Sequence, residues 1–145
     1  MSADEDKATF VRLIELINNK DLSYVDEVFA PEYVLHAPDG TVDREGYKKS
    51  MQAMLTAFPD WHCRVDQIIA DGHAIAARIT VTGTNTGPLV LPQGTYPPTG
   101  KKVEQSAAEI GLLRDGRVIE GWEYYDQLAL MLQLGLMPAP AVPAA

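Results

Sequence analysis

The chain has 145 residues, 46% of them hydrophobic and 22% charged, the size and balance of one globular domain long enough to enclose a core and a pocket. No apolar run approaches the ~20 residues of a membrane-spanning helix, and a net charge of −8 argues against nucleic acid as a partner, because gripping a phosphate backbone needs a basic surface. The single cysteine, Cys63, excludes an internal disulfide; the acidic start lacks the basic-then-apolar pattern of a secretory signal, so the expected location is the cytoplasm.

From the N-terminus, Phe10, Leu13, Ile14, Leu16 and Ile17 form one apolar stripe behind acidic residues that suit a helix start, and predict a first helix over about residues 4–19. Asp21 can cap a shorter helix carrying Leu22, Val25, Val28 and Phe29, which ends before Pro31 because the residue ahead of a proline is pushed out of the helical region. Tyr33 to His36 reads as a brief extended segment closed by the turn Pro38-Asp39-Gly40. From Asp43, the residues Tyr47, Met51, Met54, Leu55 and Phe58 recur every three or four positions up to Pro59 and predict a third helix. Trp61–Ala70 and Ala74–Thr84 are β-rich runs on either side of Asp71-Gly72, hence a hairpin. Pro88–Gly100 is too rich in proline and glycine for a strand and is expected as a long loop over the sheet edge. Gln127–Leu134 is a last helix stopped by Gly135, with Asp126 favoured as its cap over a role as a further pocket acid. A single domain over 1–136 is followed by a Pro/Ala-rich tail over 137–145, expected to be disordered or loosely docked.

The stretch Gln105–Asp126 carries the chemistry. Two apolar-rich runs, Lys101–Leu113 and Arg117–Tyr124, flank Arg114-Asp115-Gly116, whose Asp-Gly step marks a tight hairpin. With a three-residue loop and glycine as the bulge residue, 111 faces 119, 109 faces 121 and 107 faces 123. Glu109 and Glu123 then become diagonal neighbours on one face, their Cβ atoms roughly 7–8 Å apart or less, among Ala107, Gly111, Leu113 and Ile119. A two-residue loop would shift the register by one and send the two acids to opposite faces. Two carboxyls close together in an apolar cavity do not both ionise easily: desolvation and like charge raise one pKa, leaving a base beside an acid. Such a pair can remove a proton next to a carbonyl and return it elsewhere.

Helices followed by four long antiparallel strands give an α+β layout, helices on one face of a curved sheet. The other face would expose a larger patch of Ile, Val and Leu than monomers usually carry, which predicts a dimer through the sheet. The segments Ala57-Phe58-Pro59-Asp60, Val81 to Gly87, Pro98-Thr99-Gly100-Lys101, Asp115-Gly116-Arg117-Val118 and Trp122 to Asp126 together resemble the SnoaL-like polyketide cyclase family, part of the NTF2-like superfamily, in order and spacing from about residue 8 to 136. The resemblance implies a cone-shaped, ketosteroid-isomerase-like fold with a deep cavity between helices and sheet, and usually a homodimer formed through the sheet. In the family's cyclases a histidine and an aspartate on the last two strands act on the substrate; these fall on Glu109 and Glu123, both glutamates here.

The expected activity is cofactor-free acid/base chemistry on an apolar carbonyl compound, as an isomerase, aldol-type cyclase or hydro-lyase. Glu123 is the first choice as base, Glu109 its partner or acid, and His36 a possible pocket base or polar anchor that could equally be structural. Tyr47, Met51, Met54, Phe58, Trp61 and Trp122 are candidates for contact with a flat ligand, or ordinary core residues. Three scattered histidines give no metal signature, with His62 and His73 expected on the surface; Cys63 reads as a small buried hydrophobe. Three alternatives stand beside this. Glu109 could pair with Arg78 or Arg64 across the sheet and Glu123 lie at a dimer interface. An epoxide hydrolase of the limonene type would need an acid–arginine–acid set, with Arg78 as its arginine, and a carrier or sensor of an apolar small molecule would need no chemistry at all.

Overall fold

The computed structural model describes residues 2–91 and 93–137; the tail expected over 137–145 lies, from 138 on, outside the described residues. Helix α1 (Ala3–Asn18) starts on a reciprocal cap, in which Ser2 accepts from the Glu5 amide and the Glu5 carboxylate accepts from the Ser2 amide. Its stripe of Phe10, Leu13, Ile14 and Ile17 is buried. After a turn in which Asp21 accepts from the amide and hydroxyl of Ser23 rather than capping a helix directly, α2 (Tyr24–Val28) makes one short turn. Helix α3 (Arg44–Ala57) is capped by Asp43, whose carboxylate accepts from the Gly46 amide at 2.8 Å.

The strands are β1 (Phe29–Ala37), β2 (Gly40–Asp43), β3 (His62–Asp71), β4 (Ala74–Thr84), β5 (Leu89–Leu91), β6 (Gly94–Tyr96), β7 (Lys102–Arg114) and β8 (Arg117–Tyr125), before the last helix, α4 (Gln127–Gln133). Six of them form one sheet in the order β2-β1-β8-β7-β4-β3. All its pairings are antiparallel except that of β1 with β8. Its inner face meets α1 and α3 over a core that includes Phe10, Leu13, Ile17, Phe29, Tyr33, Leu35, Ile75, Ile79 and Val118.

Three expectations change. Strand β1 is longer than Tyr33–His36 and runs through Pro31. The ladder with β8 is interrupted between Phe29 and Val34, so the missing amide of Pro31 leaves no ladder bond unmade. The stretch Pro88–Gly100 is not all loop: β5 and β6 pair as a small separate hairpin, Leu89 opposite Tyr96. Its base is tied by the fully buried Asn85. That side chain donates to the carbonyls of Ala57 and Gly87 and accepts from the amide and hydroxyl of Thr99, all within 3.2 Å. Gly87 lies so close beneath α3 that a Cβ there would stand 2.0 Å from the Thr56 carbonyl oxygen, so only glycine fits.

The third change is the register of β7 with β8. The loop has two residues, Asp115 and Gly116, with Arg114 opposite Arg117 and positive φ at both loop positions, as such a turn requires. A bulge then intervenes: Leu113 pairs with Val118 but Leu112 pairs with Glu120, leaving Ile119 as the extra residue. The bulge cancels the one-residue shift of the shorter loop. Glu109 and Glu123 therefore lie directly opposite one another rather than diagonally, still on one face.

Candidate active site

Alternation along β7 and β8 decides what faces inward. On β7 the inner residues are Val103, Gln105, Ala107, Glu109 and Gly111; on β8, beyond the bulge, they are Gly121, Glu123 and Tyr125. The small residues have a purpose. Gly111 faces Gly121, and a Cβ on Gly121 would come 2.8 Å from the Tyr33 hydroxyl. The gap lets Tyr33 reach beneath the acids, where its ring stacks on Phe29 at 4.1 Å between centroids and Tyr47 meets Phe29 edge-on at 4.9 Å.

Above this aromatic floor opens a cavity of about 470 Å³. Helix α3 contributes Tyr47, Met51 and Met54, the segment after it Phe58 and Trp61, the sheet Cys63, Ile79 and Val81, and the β5–β6 arm Leu89, Val90 and Leu91. Into it face Glu109 and Glu123, together with Gln105, Tyr125 and Asp39. Neither glutamate has a hydrogen-bond or ion-pair partner among the described residues. Burial, and then the charge of Glu123, pushes the Glu109 carboxyl up to about 8. Burial, and then the charge of Asp39, pushes Glu123 up to about 7. Near neutrality the pair therefore holds protons and gives them up in the range where a general acid and base work best. Burial also raises the Cys63 thiol, to about 12, and the phenols of Tyr24, Tyr33 and Tyr47 beyond their usual value.

The sequence-derived candidates separate into two groups. Glu109, Glu123, Tyr47, Met51, Met54, Phe58 and Trp61 border one cavity; His36 and Trp122 do not. Both lie on the outer face of the sheet because each alternates with inward neighbours, Leu35 and Glu123 respectively. There the His36 ring stacks on Trp122, centroids 5.3 Å apart, and Nε2 lies 2.8 Å from Glu120. His36 as a pocket base or anchor is thus corrected by simple strand alternation, whereas Trp122, absent from the large cavity, borders a smaller pocket of about 50 Å³ that shares Tyr47, Glu109 and Glu123 with it. The pairing of Glu109 with Arg78 or Arg64 also fails: both arginines sit on the outer face and flank Asp66, at 3.7 Å and 2.7 Å. The acid–arginine–acid set of an epoxide hydrolase is therefore not assembled. Asp126 caps α4, accepting from the Ala129 amide at 2.9 Å.

Sequence reasoning missed Asp39, Gln105 and Tyr125. The last two follow from Glu109 and Glu123 by steps of two along their strands, a signal that was present. Asp39 had none, since only the fold brings the β1–β2 turn to the cavity.

The SnoaL-like polyketide cyclase family model matches residues 8–134. Among solved structures, AclR from Streptomyces galilaeus, described as a candidate hydroxylase, is 32% identical with a TM-score of 0.83 over 98% of this chain and 87% of that one. IdmH from Streptomyces antibioticus, described as a candidate polyketide cyclase, is 31% identical with a TM-score of 0.77 over 90% of this chain and 98% of that one. TsrD from Streptomyces laurentii, 23% identical with a TM-score of 0.82 over 94% of this chain and 99% of its own, shares the fold alone. No curated protein matched the sequence. Among the described residues no helix is long and apolar enough to cross a membrane, and no three His, Cys, Asp or Glu side chains are placed to hold a metal ion. With a family match over most of its length and the same α+β, NTF2-like architecture as these relatives, the chain belongs to the SnoaL-like polyketide cyclase family.

Proposed function

We propose that this protein is a cofactor-independent acid/base enzyme that acts on an apolar carbonyl compound, as an isomerase, aldol-type cyclase or hydro-lyase. The observation that carries the reading is the pair Glu109 and Glu123, directly opposed across β7 and β8 and unpartnered in a cavity otherwise walled mainly by Met, Phe, Trp, Ile, Val and Leu side chains. A structural role would leave such acids ion-paired or hydrated, because burying an unpaired carboxyl is costly.

In this reading the substrate's apolar body lies along Met51, Met54, Phe58 and Trp61, with its carbonyl toward the two strands. Glu123 takes the proton from the carbon next to the carbonyl. Glu109, held protonated at neutral pH, donates a hydrogen bond to the oxygen as charge builds there. The low-polarity walls exclude water that would otherwise quench the enolate. We further propose that the protein works as a homodimer through the outer sheet face, where Ile69, Ile110 and Tyr124 are exposed; light scattering showing a monomer at micromolar concentration would count against that.

The decisive test uses nitrobenzisoxazole, a generic probe of proton abstraction from carbon, and then candidate carbonyl substrates. Glu123→Gln keeps size and hydrogen bonding but removes the acceptor. Its expected kcat falls about 10²–10⁴-fold while affinity for an uncharged ligand stays within a few-fold. Full activity in Glu123→Gln would place the base elsewhere. Tight binding of apolar ligands by a wild type that turns nothing over would make the protein a carrier.

A further inference from the structure

We infer that Asp39, on the β1–β2 turn, is the port through which the enclosed glutamates exchange protons with bulk water. This rests on the reading of Glu123 as the base and adds to it a route by which that base is reset.

Placement comes first. Ala37 pairs with Gly40, so Pro38 and Asp39 are the two residues of a tight turn, and Gly40 has the positive φ of +137° that the return requires. The parallel register sets His36 beside Trp122, which brings the end of β1 alongside Glu123. Asp39 consequently borders the same cavity as Glu109 and Glu123. Unlike them it is exposed to solvent, and it has no hydrogen-bond or ion-pair partner among the described residues. Its carboxylate is not committed to holding the fold.

The other ionisable groups at the cavity do not compete for the task. Cys63 from β3, Tyr47 from α3 and Tyr125 from β8 line the cavity, Tyr24 from α2 and Tyr33 from β1 pack against Tyr47 behind it, and all are raised by burial and stay neutral near pH 7. Lys49, from α3 at the rim, carries an ammonium that has no lone pair to accept a proton. None of the three histidines borders the cavity. Among the described residues, Asp39 is the one carboxylate that both borders the cavity and is exposed to solvent. Its charge also reaches inward, being the second cause, after burial, of the raised Glu123 and Tyr125 values.

The step is a proton transfer with no net change at either acid. Glu123 becomes a neutral carboxyl on taking a proton from carbon and passes its O–H proton to the Asp39 carboxylate. Asp39 then releases it to water or a buffer base, and both carboxylates are restored.

Asp39→Asn tests this with nitrobenzisoxazole, an elimination in which the base must discharge a proton at every turnover. At low buffer concentration kcat should fall about tenfold and recover on adding formate, a small carboxylate able to enter the mouth. The acidic limb of the rate profile should also move to lower pH, by roughly half a unit or more, as a like charge is lost. A merely structural role would move neither the buffer dependence nor the limb. Carbon-detected NMR titration of the Glu123 carboxyl supplies a readout independent of turnover, and its midpoint should drop in the variant. An unchanged midpoint, or an unchanged kcat without buffer dependence, overturns the role of Asp39. Glu123→Gln assayed in parallel separates this from failure of the function itself, since retained activity there removes the base whatever Asp39 does.

Discussion

Two hairpins frame the cavity and are built on opposite principles. The β7–β8 hairpin is long and sits at the centre of the sheet, between β1 and β4, so its inward and outward faces are fixed by neighbours on both sides. The β5–β6 hairpin is short, belongs to no larger sheet and leaves Val90 58% exposed at the cavity rim. One holds the two acids opposite one another; the other lines the cavity they face and is tied down at its base by Asn85, by the Gly87 amide on the Ala57 carbonyl and by the buried Leu89. In this fold the candidate acids sit in a region whose position is over-determined, and the cavity rim is formed by an arm anchored mainly at its base.

Inserting one alanine between Gly121 and Trp122 should break the first arrangement most severely. The insertion pushes Glu123 one place along β8, from opposite Glu109 to opposite Ala108, and turns it to the outer face. Activity should drop by at least about 10²-fold with a large loss of stability, seen together in kinetics and urea unfolding. Survival of activity would mean that the register beyond the bulge does not set the site. On the arm, Asn85→Ala leaves the Gly87 carbonyl and the Thr99 amide without their side-chain partner and removes one of the two donors to the Ala57 carbonyl, which keeps the Gly87 amide. An expected cost of about 2–4 kcal/mol should be accompanied by a rise in KM larger than the fall in kcat. An equal effect on both would make the arm part of the chemical step.

A smaller effect sharpens the electrostatic side of the contrast. Glu109 in the folded protein titrates at about 8 against an ordinary 4.5, so the unfolded chain releases this proton first as pH rises. Stability attached to the group is fully present below about 4.5 and is lost as pH climbs through about 8. Urea midpoints of the wild type should therefore decline between those pH values. In Glu109→Gln the decline should be shallower, and an unaltered slope would mean that the acid is not enclosed. The least effect is expected from Val90→Ser at the arm's tip: a few-fold rise in KM for an apolar substrate, with kcat and melting temperature nearly unchanged.

Much of this architecture was legible because it is written locally. The stripe of α1, the Asp43 and Asp126 caps and the Asp71-Gly72 turn are each contained within a few residues of the chain. The shared face of Glu109 and Glu123 was reached through the wrong register, since a three-residue loop and a two-residue loop with a bulge give the same parity. Nothing around Ile119 distinguishes them in the sequence; in the fold the bulge lets both Val118 and Gly121, on either side of it, be buried. What stayed hidden depends on partners distant in sequence. Trp122 follows from alternation with Glu123 along β8, whereas His36 could be assigned to the outer face only once β1 was known to lie beside β8. The β5–β6 arm was obscured by its prolines and glycines, and Asp39 became a site residue only through the fold.

The parallel pairing of β1 with β8 also governs the order of assembly. The two strands lie near opposite ends of the chain, with the β3–β4 and β5–β6 hairpins between them, and β8 carries one of the paired acids. During synthesis β3, β4 and β7 can emerge and associate while β1 still lacks its neighbour, leaving an unpaired edge that includes Val34 and Leu35. Closing so long a loop is slow compared with forming hairpins. The cavity is therefore completed late, and a nascent chain stalled before Arg117 would expose the strand edges most prone to associate with other chains.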